Sequence, residues 1–135
     1  MIVPLTESHF HLLDLPMDWM NKYRLAHGVK YALVVDDKLI AIGGIAPDAS
    51  RGNVGLAWSI FTEGAAKSPR LMRRIHAAVR AVMPEAKAAF VRIECLTMAR
   101  SKRHYDWLQR FGFICEGVAE KFTGVEDRAR FAWIR

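Results

Sequence analysis

The sequence predicts an α/β or α+β fold with a mixed sheet, and three observations lead there. Strand-like and helix-like apolar stretches interleave along the chain instead of separating into blocks. Residues 54–97 form a strand, loop, helix, strand unit. Near the end, Ala129, Phe131 and Trp133 alternate with Arg128 and Arg130, the period of a strand with one buried and one wet face. At 135 residues the chain is expected to be one domain, residues 1–135, with a core that needs no disulfide or metal.

The elements follow in order. Residues 1–4 make a short strand. Thr6 starts a helix carrying Phe10, Leu12 and Leu13, which Pro16 interrupts. Residues 18–27 resume as a helix with Trp19, Met20 and Tyr23 apolar, and Gly28 closes it. His9, His11 and His27 fall here; a spacing of two does not put His9 and His11 on one helical face, so they read as solvated or capping groups and no metal pair is predicted. Residues 31–35 and 39–45 form a hairpin around Asp36, Asp37 and Lys38. Gly43 and Gly44 mark a bulge or a close backbone approach, because no helix follows them to make a phosphate loop. Residues 47–53 are an exposed loop in which Asp48 forms a turn. Residues 113–122 and 125–134 are two strands around Thr123 and Gly124.

Composition narrows the class. Hydrophobic residues make up 52% and charged residues 25% of the chain, ordinary values for a folded protein rather than a disordered one. No apolar run approaches the ~20 residues of a membrane span, and MIVPLTESH lacks the regions of a signal peptide, so a cytoplasmic location and no membrane partner are expected. Cys95 and Cys115 lie in apolar strand-like runs without CxxC or Cys/His spacing and read as buried free thiols. Net charge is +6. The basic residues cluster at residues 70–74 and 100–103 without a nucleic-acid-binding motif or basic tail, which suits a polyanionic ligand better than nucleic acid.

The central unit is where a small-molecule site is expected. Residues 54–61 are a strand, residues 62–68 a loop, residues 69–83 a helix ended by Pro84, residues 90–97 a buried strand, and a second helix closes at Gly112. Ser68 is a good N-cap and Pro69 fits the first helical position. Leu71, Ile75, Ala78, Val79 and Val82 make the apolar stripe. Arg70, Arg73 and Arg74 oppose the helix dipole. They are either a solvated basic face or, with Gly64, Ala65, Ala66 and Lys67 beside them, a phosphate site.

This order, with Arg92 to Thr97, Ser101 and the ending Trp107-Leu108-Gln109-Arg110-Phe111-Gly112-Phe113, resembles the GCN5-related N-acetyltransferase (GNAT) superfamily. Within it, the chain is similar to small acetyltransferase-like proteins of tailed bacteriophages, some of them internal virion or morphogenesis proteins. The resemblance implies a mixed, mostly antiparallel sheet of about six to seven strands flanked by helices, with a splay between the two central strands. It implies acetyl-CoA as co-substrate, lying in that splay. Its pantetheine arm would pair with backbone around Ser59, Ile60, Phe61 and Thr62. Its pyrophosphate would rest on Gly64, Ala66, Lys67 and Ser68 with Arg70 nearby, and Ser101 would touch the pantetheine arm in place of the family's asparagine.

The chain also departs from the family pattern: residues 62–68 do not reproduce the usual loop of an Arg or Gln, two residues, Gly, one residue, then Gly or Ala; Glu63 would place a negative charge near the pyrophosphate; and Leu108 occupies the place of the tyrosine that often acts as general acid. Amine acetylation needs a base for the ammonium proton and an acid for the departing thiolate. The candidates near the splay are Glu94, Ser59, His104 and Tyr105. Each has a plainer reading: Glu94 as an ion-pair partner of Arg92, His104 and Tyr105 as packing residues. Two function classes follow. One is an acyl-CoA-dependent N-acetyltransferase acting on an amine of a small molecule or of a host or phage protein; the other is a GNAT-fold binding or virion assembly protein without the chemistry. Loops 8–30 and 47–53 are expected to choose the acceptor, and Trp19 and Trp133, read as exposed, mark a candidate homodimer interface.

Overall fold

The computed structural model describes residues 1–98 and 101–135. The elements are β1 (Ile2–Pro4), α1 (Glu7–Leu12), α2 (Trp19–Ala26), β2 (Val29–Val35), β3 (Lys38–Pro47), β4 (Val54–Phe61), the single-turn α3 (Glu63–Ala66), α4 (Pro69–Ala89), β5 (Arg92–Met98), α5 (Lys102–Arg110), β6 (Ile114–Ala119) and β7 (Arg128–Ile134). The strands form one seven-stranded sheet in the order β1-β2-β3-β4-β5-β7-β6. Every neighbouring pair is antiparallel except β4 and β5, which are joined through α3 and α4 and run parallel. This is the mixed sheet that the sequence predicts and the mostly antiparallel, helix-flanked arrangement that the resemblance implies. Among the described residues, no helix is long and apolar enough to cross a membrane.

The sheet is covered differently on its two faces. On one, Phe10 of α1 is fully buried against Ala32 and Ile42, with Trp58 and Ile60 of β4 packed alongside. On the other, Ile75 of α4 packs with Leu33, Ala41 and Phe61. Farther along that same face, Met83, Leu108, Phe111 and Phe113 surround Ile93 and Phe131. The alternation of side chains along β4 decides which face each residue meets.

Local chemistry fixes the boundaries. Thr6 N donates to His9 Nδ1 at 3.0 Å, so one of the three histidines caps α1. Asp18 caps α2 by accepting from Asn21 N at 2.9 Å, and Ser68 caps α4 by accepting from Leu71 N at 3.2 Å. Asp36 and Asp37 both adopt positive φ, 51° and 62°, as a two-residue hairpin turn requires. Gly112, at φ 86°, ends α5, with Phe113 N reaching back to Leu108 O at 3.1 Å. Gly44 marks a close approach: a Cβ there would sit 2.1 Å from Val29 O. The bulge in this hairpin falls elsewhere, at Ile40, which has no partner between the pairs Leu33 with Ala41 and Val34 with Leu39.

Several expectations are corrected. The helix expected over residues 69–83 continues through Pro84 to Ala89. An internal proline costs about 3 kcal/mol, but the residues after it, Glu85-Ala86-Lys87-Ala88-Ala89, favour helix, and Met83 and Ala86 are buried against the core. The segment 62–68 is not an open loop, because residues 63–66 wind into α3. The last turn is wider than Thr123 and Gly124, since β6 ends at Ala119 and β7 starts at Arg128. Cys115 is exposed on the edge strand β6, where the ladder shifts register between Cys115 and Gly117, and Cys95 is half-buried; both thiols are free. Trp19 is 76% exposed, whereas Trp133 is half-buried with Lys87 Nζ 5.2 Å from its ring centroid, which weakens its part in a dimer interface. Arg100, part of the second basic cluster, lies outside the described residues.

Candidate active site

The parallel ladder between β4 and β5 is short. Val54, Gly55 and Leu56 pair with Arg92, Ile93 and Glu94, and the register ends there. Beyond it β4 continues on β3 as far as Phe61, and β5 continues on β7 as far as Met98. Asp48 N bonds Val54 O at 2.8 Å and Thr62 N bonds Ile40 O at 2.9 Å. In an antiparallel ladder the groups facing the partner strand alternate, so even-numbered residues of β4 turn their N–H and C=O to β3. Those of Ala57, Ser59 and Phe61 turn the other way, toward β5, where no strand residue pairs with them.

A cavity of about 640 Å³ lies at this place, within the size range of small-molecule sites. Ala57, Ser59 and Phe61 of β4 and Cys95 and Leu96 of β5 contribute to its wall. It reaches Ile75 and Trp107 on the α4 and α5 face and Met20 and Arg24 on the α2 face. It is thus lined by residues from both faces of the sheet, beside the stretch where β4 and β5 are not paired. Trp107 Nε1 donates to His76 Nδ1 at 2.8 Å, tying α5 to α4 at its wall.

The four catalytic candidates are placed in different environments. Ser59 is exposed on β4 and lines the cavity. Glu94 also lines it, but both carboxylate oxygens are engaged: Oε1 accepts from Arg51 Nη2 at 2.7 Å, and Oε2 accepts from Arg51 Nη1 at 2.9 Å and Arg92 Nε at 2.7 Å. The Arg51 guanidinium, then that of Arg92, holds its pKa at about 2 against the opposing effect of burial, so it is a poor proton acceptor near neutral pH. Arg92 extends this network to Glu116. His104 Nδ1 lies 2.8 Å from Thr97 Oγ1, and burial, then the Arg103 charge, lowers its pKa. Tyr105 packs edge-on to Phe131 with centroids 4.9 Å apart. Neither His104 nor Tyr105 is among the residues lining the cavity, whereas the buried Leu108 is. Cys95 joins the wall with its thiol pushed up to about 11 by burial, which keeps it protonated.

The phosphate segment has fewer open amides than a loop would offer. Ala65 N and Ala66 N bond Thr62 O, at 3.1 and 3.2 Å, and Ser68 N bonds Ala65 O at 3.2 Å. Leu71 N is taken by the Ser68 side chain and Met72 N by Ser68 O. Gly64 and Ala66 are exposed, and no heavy atom stands within 4 Å of a Cβ built on Gly64. Lys67 Nζ pairs with Glu63 at 3.2 Å and Arg70 with Asp36 at 3.3 Å, all four side chains being well exposed. Exposed pairs of this kind contribute little and exchange readily. Ser101 stands at the start of α5, half-exposed, with its carbonyl accepting from His104 N and Tyr105 N. Ile60, by contrast, points to the α1 face with Phe10 and Ile42.

Three site residues escaped the sequence reading. Arg24 is half-buried with its guanidinium carbon 4.9 Å from the centroid of Trp58, and Arg130 of β7 lines the cavity from the far side of β5. Among the described residues, the buried Trp58 Nε1–H has no hydrogen-bond partner. No periodicity or motif singles these out. Only the general expectation that residues 8–30 shape an acceptor site includes Arg24.

Comparison with known proteins follows the architecture. An acetyltransferase from Bacillus subtilis, solved in complex with CoA, superposes with a TM-score of 0.72 at 17% identity, covering 99% of this chain and 97% of its own. The ribosomal-protein-S18-alanine N-acetyltransferase from Escherichia coli gives 0.75 at 12% identity, over 99% of this chain and 92% of its own. A GNAT-family acetyltransferase from Streptococcus pneumoniae gives 0.66 at 14% identity, over 87% and 73%. The chain has the GNAT fold. No family model and no curated protein matches the sequence, so the likeness is carried by the GNAT architecture.

Proposed function

We propose that the protein is an acetyl-CoA-dependent N-acetyltransferase. The observation that carries this reading is the end of the β4–β5 ladder after Leu56 and Glu94, which leaves the backbone groups of Ala57, Ser59 and Phe61 facing a cavity in a fold shared with acetyltransferases. An extended chain with amides along it, such as a pantetheine arm, finds there the donors and acceptors a missing strand would have used. The diphosphate would be held mainly by side chains, Lys67, Arg70, Arg73 and Arg74, since the amides of residues 65, 66 and 68 are internally bonded. Glu63 and Asp36, their present exposed partners, would be exchanged for the ligand.

The reaction joins the acceptor nitrogen to the acetyl carbon as the carbon–sulfur bond breaks, with one proton leaving the amine and the sulfur departing as thiolate. Bound acetyl-CoA supplies the activated acyl group. Because Glu94 is locked by two arginines and Leu108 cannot donate a proton, the chain's contribution is positioning and charge more than proton transfer by a dedicated pair. Ser59 contributes a hydroxyl to the cavity wall.

A second reading is a GNAT-fold binding or assembly protein without the chemistry, as the phage resemblance implies; the internally bonded amides of the phosphate segment and Leu108 favour it. Thermal unfolding with acetyl-CoA separates the two. A ligand at a hundredfold excess over its Kd adds about 2.7 kcal/mol, and replacing both Lys67 and Arg70 by alanine should cut the shift. No shift at millimolar acetyl-CoA supports the assembly reading.

A further inference from the structure

We propose that the cavity's mouth on the α2 face selects an acceptor that carries a carboxylate beside its amine and an apolar side chain, that is, an apolar α-amino acid; this rests on the acetyltransferase reading. Two guanidinium groups frame that mouth. Arg24 comes from α2 and stacks over Trp58 of β4. Arg130 sits on β7 opposite Leu96 of β5 and so shares a sheet face with Leu96 and Glu94. The two therefore stand on opposite sides of the gap, one beside each diverging strand. Both line the cavity.

Neither has a carboxylate at salt-bridge distance among the described residues. Arg24 bonds only the Asn21 side-chain oxygen, at 3.3 Å, with Asp18 acting on it from farther away. It is half-buried, and burial lowers its pKa, the sign of a cation held with less than full compensation. Glu94, the acid lining the cavity, is already paired with Arg51 and Arg92, and Glu116, which acts on the exposed Arg130 from farther away, is itself paired with Arg92. An anionic group on the ligand is the partner this arrangement lacks. Between the arginines the surface is apolar: Met20, Trp58, Leu56 and Leu96 all face the cavity. A ligand with an apolar body and a carboxylate fits both features.

The same charges act on the nucleophile. An ammonium near two arginines has its pKa lowered, which favours the neutral, reactive amine and lessens the need for the base that Glu94 does not provide. A polyamine acceptor brings several positive charges to this mouth and is disfavoured.

The test compares L-phenylalanine, L-phenylalaninamide and spermidine as acceptors, following CoA release, for the wild type, Arg24→Ala and Arg130→Ala. In parallel, calorimetry measures binding of N-acetyl-L-phenylalanine and its amide, and thermal unfolding measures binding of acetyl-CoA. The free acid is expected to exceed the amide at least tenfold in kcat/KM and in affinity, with spermidine weakest. Either arginine variant should bring acid and amide within about threefold while leaving the acetyl-CoA shift intact. Equal use of acid and amide, preference for spermidine, or an unchanged ratio in both variants overturns the proposal. Should acetyl-CoA fail to bind while the free acid still binds better than the amide, the acetyltransferase reading falls and the carboxylate site stands.

Discussion

The two ends of the β4–β5 boundary are built from the same pair of strands and behave oppositely. At the near end the ladder is clamped. Asn53 O accepts from Val91 N at 2.9 Å, Arg51 and Arg92 grip Glu94 between them, and Gly55, having no side chain, lets the Phe90 ring lie within 3.0 Å of where a Cβ would be. Ile93 beneath is fully buried. At the far end each strand keeps its outer partner, β3 or β7, and loses the inner one. The small residues Ala57 and Ser59 leave the space unfilled. The difference teaches that a sheet can hold an opening at its centre without unravelling, provided both lips are anchored outward and one end is locked.

Breaking the locked end should have the largest effect. Ile93→Ala removes a fully buried side chain and should cost about 2–5 kcal/mol, read as a lower denaturant midpoint at unchanged slope; a loss under ~1 kcal/mol would mean the near end is not the clamp described. Next comes the open end. Ser59→Trp sits on an exposed position facing the gap, so folding should change by no more than ~0.5 kcal/mol, while the ~2.7 kcal/mol expected from a hundredfold excess of acetyl-CoA should vanish. If the variant still shows the full shift, the ligand does not occupy the gap.

The smallest effect sharpens the comparison through pH. Glu94 is held at about 2, below its ordinary 4.5, so the stability it contributes is complete above 4.5 and is lost as pH falls toward 2. Asp48, also held at about 2 by Ser50 and Arg51, loses its contribution in the same direction but over the narrower window from 3.8 down to about 2. Glu94→Gln should therefore flatten, without abolishing, the decline of unfolding free energy between pH 4.5 and 2. An unaltered slope would remove Glu94 from the network's energetics.

Much of this architecture is legible residue by residue. The Ser68 cap, the paired aspartates of the first hairpin and the Gly112 stop are local chemistry, decided within four or five residues, and each sits where the sequence places it. Pro84 is the instructive miss. Its cost is local, but Met83 and Ala86 on either side find buried positions that only the folded sheet provides. The phosphate segment is similar: small residues suggested an open loop, and a turn of helix satisfied their amides instead. Ser59 and Glu94 lie on the two central strands and both line the cavity, though Glu94's bond to Arg51, 43 residues away in sequence, is not legible in either segment. His104 and Tyr105 shared the right helix but turned to Thr97 and Phe131 rather than into the cavity.

The sequence by itself determined the order of the main elements and several of their caps and turns, because side-chain periodicity and backbone preference act over short distances. The tertiary structure alone decided that the β4–β5 pairing stops after three residue pairs, that Glu94 is spent on arginines, and that Arg24 and Arg130 both line the cavity. These depend on pairing register and on contacts between residues far apart in the chain, which no local pattern encodes.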